Sequence, residues 1–318
     1  MDRSILVMWN SNAGSTDQAQ ALLEQLKGDA RVKIHSPEGD QEAINYVKEA
    51  ATEFDAVIAA GGDGTVNTTV NGLAASKAES PIMGVLPLGT ANDLSFTLST
   101  PPQLERWLAL MLDQSIQQDK NFVRPCDIIQ TKTKDGVSYF ANVATGGNSD
   151  RVTEQMTNEI KQQWGALAYL RGALDVLQDL KGFELVVQFD EEEAFDCTAW
   201  NVIVANGRAC GGHLLVAPQA SLEDGLIDVM IIRDGTSIDL ASLTAQLFLS
   251  DYLLSEQVIY RQVKQFKVSS DPPLRFSADG NLLPESSVSF EIQASRIRVL
   301  VGPEYVRKPP KTTRSSAV

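Results

Sequence analysis

The sequence predicts an α/β chain in two parts: a parallel sheet covered by helices on both faces, then a mainly antiparallel β domain. Short apolar runs alternate with helix-like segments over the first third of the 318 residues. From about Arg124 the pattern changes to strand-like runs separated by turn dipeptides. The length also exceeds the roughly 100 to 200 residues of one typical domain. The expected division is 1–123 for the first domain, 124–307 for the second, with room for its last strand to return to the first, and 308–318 for a disordered basic tail.

In the first part, "SILVMW", "VKIHS", "DAVIAA" and "IMGVLPLG" are strand-length apolar runs, and "TDQAQALLEQLK", "QEAINYVKEAA", "TVNTTVNGLAA" and "QLERWLALML" are the helical segments between and after them. Such alternation makes a parallel sheet, whose ligands bind beyond the carboxyl ends of the strands. The turns "NSNAGS", "GGDGT" and "PLGTAND" follow strands and should gather at one sheet edge. In the second part the strand runs are "DIIQTKTKDGVSYFANVAT", "FELVVQF", "TAWNVIVANG", "LIDVMII", "KQFKVSS", "VSFEIQA" and "RIRVLVG", with Asp135-Gly136 as a hairpin signal. Two helical insertions are expected, from about Arg151 to Lys181 and from Ile238 to Leu254. In the first, Met156, Ile160, Trp164, Leu167, Leu170, Leu174 and Leu177 fall at helical spacing, more in keeping with a core face than an acyl-chain cleft.

Composition narrows the function. A chain that is 43% hydrophobic and 21% charged is an ordinary globular protein. Its net charge of −14 argues against a nucleic-acid groove and is repelled by anionic membranes. Three widely spaced cysteines fit a reducing cytosol. No run approaches the roughly 18 apolar residues of a membrane span. The expected location is cytoplasmic, with any membrane contact peripheral. Two histidines, His35 and His213, lack partners at zinc-ligand spacing, and no GxSxG elbow is present.

The chemistry lies in the turns. Gly61, Gly62 and Gly64 permit close backbone approach, and Thr65 opens a helix whose positive end suits phosphate. Asp63 within that turn repels a polyphosphate unless a divalent cation or a transferred proton lies between them. The alternative is a plain tight turn with Asp63 capping the helix. In "PLGTAND", Gly89 and Thr90 repeat the approach, while Asn92 and Asp93 add an amide and a second carboxylate. Two acidic glycine turns at one edge point to a magnesium nucleotide.

With these motifs the sequence resembles the diacylglycerol kinase catalytic family, which includes sphingosine kinases, and most closely its bacterial YegS-type lipid kinases. "GGDGTVN" and "PLGTAND" are joined by "VATGG", "ANGRACGG" and "LEDGLIDV", so the resemblance covers nearly the whole chain. It implies an N-terminal Rossmann-like nucleotide-binding domain, a C-terminal β-sandwich lipid-binding domain, and an active site between them. The implied activity moves the γ-phosphate of ATP to a hydroxyl of a lipid such as phosphatidylglycerol or diacylglycerol at a membrane surface.

The nucleotide-contacting set implied is Gly61, Gly62, Asp63, Gly64, Thr65, Val66, Asn67, Thr68, Gly89, Thr90 and Asn92, with His35 at a further position. Asp63 and Asp93 are implied to act through magnesium and water. In "SLEDGLID", the Asp224 carboxylate and the carbonyls of Ser221 and Leu226 are the implied ligands of a regulatory or structural magnesium, a site that would also suit Ca²⁺. A homodimer is left open.

Two positions depart from the family pattern. Thr68 replaces the glutamate that follows GGDGTxN. Asn281, in "ADGNLLPES", stands where relatives carry the glutamate that serves as base, and an amide cannot accept that proton. Asp279 and Glu285 are the candidate substitutes. Two other functions stay open: a nucleotide- and lipid-binding regulator with little turnover, and an NAD kinase relative, which shares GGDGT.

Overall fold

A computed structural model of the chain describes residues 4–10, 17–76, 81–134, 136–148, 180–236, 238–239, 242–243, 246, 252–283 and 287–310. The expected helix at 151–181, with its apolar stripe, lies almost wholly outside the described residues, as does most of 238–254, of which Tyr252–Leu254 forms a 3-10 turn.

The first domain runs β1 (Ile5–Trp9), α1 (Asp17–Lys27), β2 (Val32–His35), α2 (Asp40–Ala50), β3 (Ala56–Gly61), α3 (Asp63–Ala75), β4 (Ile82–Pro87), α4 (Asp93–Thr97) and α5 (Leu104–Leu112). The strands are parallel in the order β2, β1, β3, β4. Ile5, Val7 and Trp9 pack against α1 and α5, while Leu6 and Met8 pack against α2 and α3. With both faces covered, β1, β3 and β4 are continuous apolar runs, whereas the edge strand β2 carries the exposed Lys33 and no buried residue. Helix α1 buries Ala19, Leu22 and Leu26 and α2 buries Ala43, Val47 and Ala50, each a single stripe.

Helix α3 is different, for it is buried continuously from Thr65 to Ala74. The sheet and α2 cover one side, and Cys126, Ile128, Ala141 and Leu222 of the second domain cover the other. Its polar side chains therefore need partners within the protein. Thr68 and Thr69 donate to the Thr65 carbonyl at 3.1 and 2.8 Å. Asn71 donates to the Tyr139 carbonyl at 2.7 Å and accepts the Tyr139 N–H at 2.8 Å, acting as a strand partner from a helix. Gly72 lets α2 approach: a Cβ there would lie 2.6 Å from Val47 Cβ and 2.9 Å from the Ile44 carbonyl oxygen. Gly72→Ala should lower unfolding free energy by about 1–3 kcal/mol in urea titrations.

The second domain contains β5 (Val123–Thr133), β6 (Gly136–Phe140), β7 (Val143–Gly147), β8 (Phe183–Phe189), β9 (Phe195–Ala205), β10 (Ala209–Cys210), β11 (Leu214–Leu215), β12 (Ile227–Arg233), β13 (Val258–Val263), β14 (Gln265–Asp271), β15 (Phe276–Ala278), β16 (Asn281–Leu283) and β17 (Ser287–Leu300). Its strands pair antiparallel around a core in which Phe266 stacks on Phe189 and Phe290, with Phe276 edge-on to Phe290.

The two sheets are continuous through β17. It runs antiparallel to β14 and β5, breaks register between Gln293 and Ile297, and ends with Arg298 and Val299 parallel to Ile82 and Met83 of β4. "VSFEIQA" and "RIRVLVG", expected as separate runs, are thus one strand. The break holds Ser295 at φ 51°, and its N–H goes to Asp127 Oδ1 at 2.6 Å. Asp127 Oδ2 accepts the Gly225 N–H at 2.7 Å, so one buried carboxylate ties the strand break to the "LEDGL" turn.

Two hairpins refine the sequence reading. β5 and β6 form the hairpin expected at Asp135-Gly136, with Gly136 opening β6 opposite Thr133; Asp135 itself lies outside the described residues. The same dipeptide does form a turn at Asp279-Gly280, with φ of 45° and 85° between β15 and β16. Two consecutive positive φ values are the hairpin geometry that Asp-Gly favours.

Candidate active site

β1 and β3 lie side by side while their neighbours diverge, which puts the turns after them at the switch point of the sheet, where a crevice opens. Asn10, just past β1, donates to Thr65 Oγ1 at 3.3 Å and joins the first turn to the GGDGT turn. The third turn packs backbone on backbone: a Cβ on Gly89 would stand 2.4 Å from Gly62 Cα, and one on Gly61 would stand 2.2 Å from Thr65 Oγ1. Gly89 is thus required by the contact between the turns, against which Gly62 fits closely, and Gly61 is required by Thr65 of its own turn. Gly64 has nothing within 4 Å of its Cβ position and faces open space at the start of α3. It is the glycine past which a ligand can approach.

The two acidic residues join the turns. Asp63 accepts the N–H groups of Asn92 and Asp93, both at 2.9 Å, and so caps α4 from another loop. Asp93 accepts the N–H groups of Gly212 and His213 at 3.0 and 2.7 Å, which brings "ANGRACGG" to the same place. Asp279 accepts from Ala141 and Val143 at 3.0 Å and from Asn142 at 3.4 Å, holding the crossing from β6 to β7.

Among the described residues none of the three carboxylates forms an ion pair with a cationic side chain. Burial and then the charge of Asp93 hold the Asp63 carboxyl above its usual range, against the backbone donors. Burial pushes Asp279 up to about 6, with the Asp63 charge adding to it. Uncompensated negative charge at a helix start favours a cation or a proton there.

Other expected site residues take varied positions. Val66 packs in the core, and Asn67 is buried and donates to the Tyr139 carbonyl at 3.3 Å. Their side chains are occupied by the domain junction. Asn92 sits at φ 52° with its amide spent on Gly89, accepting its N–H at 3.0 Å and donating to its carbonyl at 2.7 Å. Thr90 is exposed beside it. His35, at the end of β2, stacks on Tyr46 with ring centroids 3.6 Å apart and meets Glu42 at 2.7 Å.

Asp224 lies in a turn with its own set of contacts. Asp224 Oδ1 accepts the Leu226 N–H at 3.1 Å, Gly225 has φ 71°, and the Ser221 hydroxyl donates to the Arg307 carbonyl at 2.8 Å. Beside it, the buried Glu223 carboxylate accepts from Arg124 Nε and Nη2, at 2.9 and 2.6 Å, and meets Arg307 Nε at 3.0 Å. This hub was not anticipated, since its partners lie far apart in sequence. No group of three or more His, Cys, Asp or Glu converges among the described residues. A cation at either place must complete its shell with carbonyls, water or ligand oxygens, a donor set that fits magnesium or calcium and not zinc.

The remaining described residue pair of interest is Thr68 and Asn281. Though 213 positions apart, they line one cavity of about 300 Å³ between α3 and the tips of the β5–β6 and β15–β16 hairpins. Asp279 is not among its lining residues. Glu285 lies outside the described residues.

A doubly wound sheet with acidic glycine turns at its switch point, continuous with an antiparallel sheet, defines a kinase-type α/β protein. The diacylglycerol kinase catalytic domain matches residues 4–122, and the YegS C-terminal NAD kinase beta sandwich-like domain matches 141–301. The chain belongs to the diacylglycerol kinase family, as a YegS-like lipid-kinase-type member. It is 29% identical to the "Diacylglycerol kinase" of Bacillus subtilis (strain 168), over 86% of this chain and 87% of that one. It is 30% identical to the "Probable lipid kinase YegS-like" protein of Xanthomonas euvesicatoria pv. vesicatoria (strain 85-10), over 84% of each. The crystal structure of a "putative diacylglycerol kinase" from Bacillus anthracis str. Sterne superposes with a TM-score of 0.78 at 22% identity, covering 96% of this chain and 97% of that one. Among the described residues no helix is long and apolar enough to cross a membrane.

Proposed function

We propose that the protein transfers the γ-phosphate of ATP to a hydroxyl of a membrane-derived lipid of the phosphatidylglycerol or diacylglycerol type. The observation that carries this is the pair of glycine turns locked together at the switch point, with Asp63 and Asp93 unpaired by any cation among the described residues. The backbone of Gly62 to Thr65 and the Thr90 hydroxyl meet the nucleotide, and Gly64 gives it access to the start of α3. Asp63 and Asp93 would hold magnesium brought with the nucleotide, and Asp224 with the Ser221 and Leu226 carbonyls would hold a second, regulatory or structural ion. Magnesium bound with the nucleotide supplies positive charge to the phosphate oxygens. Asp279, raised to about 6 by burial, is in the range suited to accepting a proton at neutral pH. Three backbone donors hold its carboxylate in place.

Transfer of label from [γ-³²P]ATP into a panel of lipids, with NAD included as a soluble acceptor, tests the proposal. Labelled lipid that requires magnesium is the expected result; ATP binding without lipid product, or label in NAD alone, overturns it. Gly89→Ala should weaken binding of a non-hydrolysable ATP analogue by about tenfold or more in calorimetry, because its Cβ parts the two turns by a clash of about 1–3 kcal/mol.

A second reading, a nucleotide- and lipid-binding regulator with little turnover, is favoured by one feature. Thr68 and Asn281 leave their shared cavity with Asp40 as its single described carboxylate.

A further inference from the structure

We propose that the C-terminal segment 302–307 is a positioning strap for Asp93: it fastens the far end of α4 to Glu223 of the second domain and so fixes where the carboxylate at the start of α4 stands. The inference rests on the reading above that Asp93 serves the magnesium nucleotide, and it adds what holds Asp93 in place.

Helix α4 cannot hold itself. It has five residues, far short of the roughly 12 to 15 that an isolated helix needs. Its start hangs on Asp63, which accepts the Asn92 and Asp93 N–H groups. Along its side, the Thr97 hydroxyl accepts the Arg208 N–H at 3.2 Å. Its end is closed by the strap. The Leu98 carbonyl accepts the Gly302 N–H at 2.8 Å, and the Ser99 hydroxyl donates to the Glu304 carbonyl at 3.3 Å. Ser99 is left-handed, at φ 54°, and a Cβ on Gly302 would run into its carbonyl oxygen. The two segments thus meet backbone to backbone, a contact that only glycine at 302 permits.

The other end of the strap is anchored in the second domain. The Arg307 carbonyl accepts the Ser221 hydroxyl at 2.8 Å, and Arg307 Nε meets Glu223 at 3.0 Å. Tyr305 packs against the core cluster that contains Leu94 and Leu98, and its hydroxyl hydrogen-bonds Glu223. Burial, and then the Glu223 charge, pushes that phenol up, so it stays a donor. The Glu223 side chain is 1% exposed and is held in turn by Arg124 of β5, which gives the strap a fixed post.

The consequence is mechanical. By sequence α4 belongs to the first domain, yet its end is placed by the second. Asp93 lies one turn from Thr97, about 6 Å along the axis. A tilt at the strapped end therefore moves the carboxylate against the Gly212 and His213 N–H groups that it accepts. Misplacement of a positioned group by about 1 Å costs on the order of 10²-fold in rate.

Hydrogen exchange on the full chain reads α4 directly. Tyr305→Phe keeps the ring and removes one bond to a charged partner. The Phe96 and Leu98 amides, bonded within the helix, should then exchange about tenfold faster or more, while α1 and α2 keep their protection. Arg307→Ala, at a more exposed pair, should give about 2- to 5-fold, and Arg307→Lys close to none. Deleting 311–318, beyond the strap, should change nothing. In calorimetry with magnesium and a non-hydrolysable ATP analogue, Tyr305→Phe should bind about 3- to 10-fold more weakly. In transfer assays its kcat should fall with the KM for lipid unchanged. A merely structural role would instead speed exchange across both domains and leave the affinity of the folded protein alone.

Unchanged exchange in α4, exchange raised equally in α1 and α2, or a loosened α4 with wild-type analogue affinity overturns the inference. Should Tyr305→Phe fail to fold, Arg307→Ala against Arg307→Lys makes the same comparison. Analogue binding that weakens in the variants, with no labelled lipid even from wild type, defeats the kinase reading and leaves this one standing; labelled lipid from variants with wild-type α4 exchange does the reverse.

Discussion

Asp279→Ala is expected to destabilise the protein by about 3–5 kcal/mol, read from urea unfolding at neutral pH, because each buried donor left unsatisfied costs about 1–3 kcal/mol. Its carboxylate collects the N–H groups of Ala141, Asn142 and Val143, where the chain turns from one strand to the next and has no ladder partner to offer them. Asp279→Asn should cost less, since one amide oxygen still accepts.

The same pair of variants reads a pH effect. Burial raises the Asp279 carboxyl from 3.8 to about 6, so the folded protein holds this proton more tightly than the unfolded chain does. The associated stability is fully present below about pH 4 and is lost as pH rises through about 6, a difference of about 3 kcal/mol. Wild type measured against Asp279→Asn at acidic and neutral pH should show that loss only in wild type. A constant difference between the two proteins would show that Asp279 titrates normally.

Asn281→Glu is expected to raise the rate of phosphate transfer, by about 10²-fold or more, with little change in ATP affinity. General-base assistance is worth about 10² to 10⁴-fold, and position 281 lines the cavity that it shares with Thr68. Thr68→Glu lies across the same cavity, so the double variant should depart from additivity, as neighbouring groups do. An unchanged rate in Asn281→Glu would show that proton acceptance does not limit turnover, and would shift attention to the confined carboxylate of Asp279.

Much of the architecture was legible because its signals are local. A strand covered on both faces must be apolar throughout, and a glycine turn between strand and helix is a contiguous motif. The α1 and α2 stripes, the GGDGT and PLGTAND turns and the hairpin strands could all be placed this way. Helix α3 was legible as a helix but not as the junction between domains, because its threonines and asparagines look like surface residues until Tyr139 is seen beside them. The hairpin at Asp279-Gly280 carried a signal that could have been used, the same Asp-Gly dipeptide noted at 135–136.

By itself, then, the sequence determined the parallel sheet, the antiparallel domain and the acidic character of the glycine turns, since each depends on residues that are neighbours along the chain. Only the tertiary structure decided what those acids hold. Asp63 meets Asn92 and Asp93, Asp93 meets Gly212 and His213, and Asp127 joins Gly225 to Ser295. A buried carboxylate takes whichever backbone donors the fold leaves without a ladder partner, and those are set by packing across hundreds of residues. The meeting of Thr68 and Asn281 in one cavity follows the same rule: each substitution is visible alone, and their shared space exists only once α3 lies against the second domain.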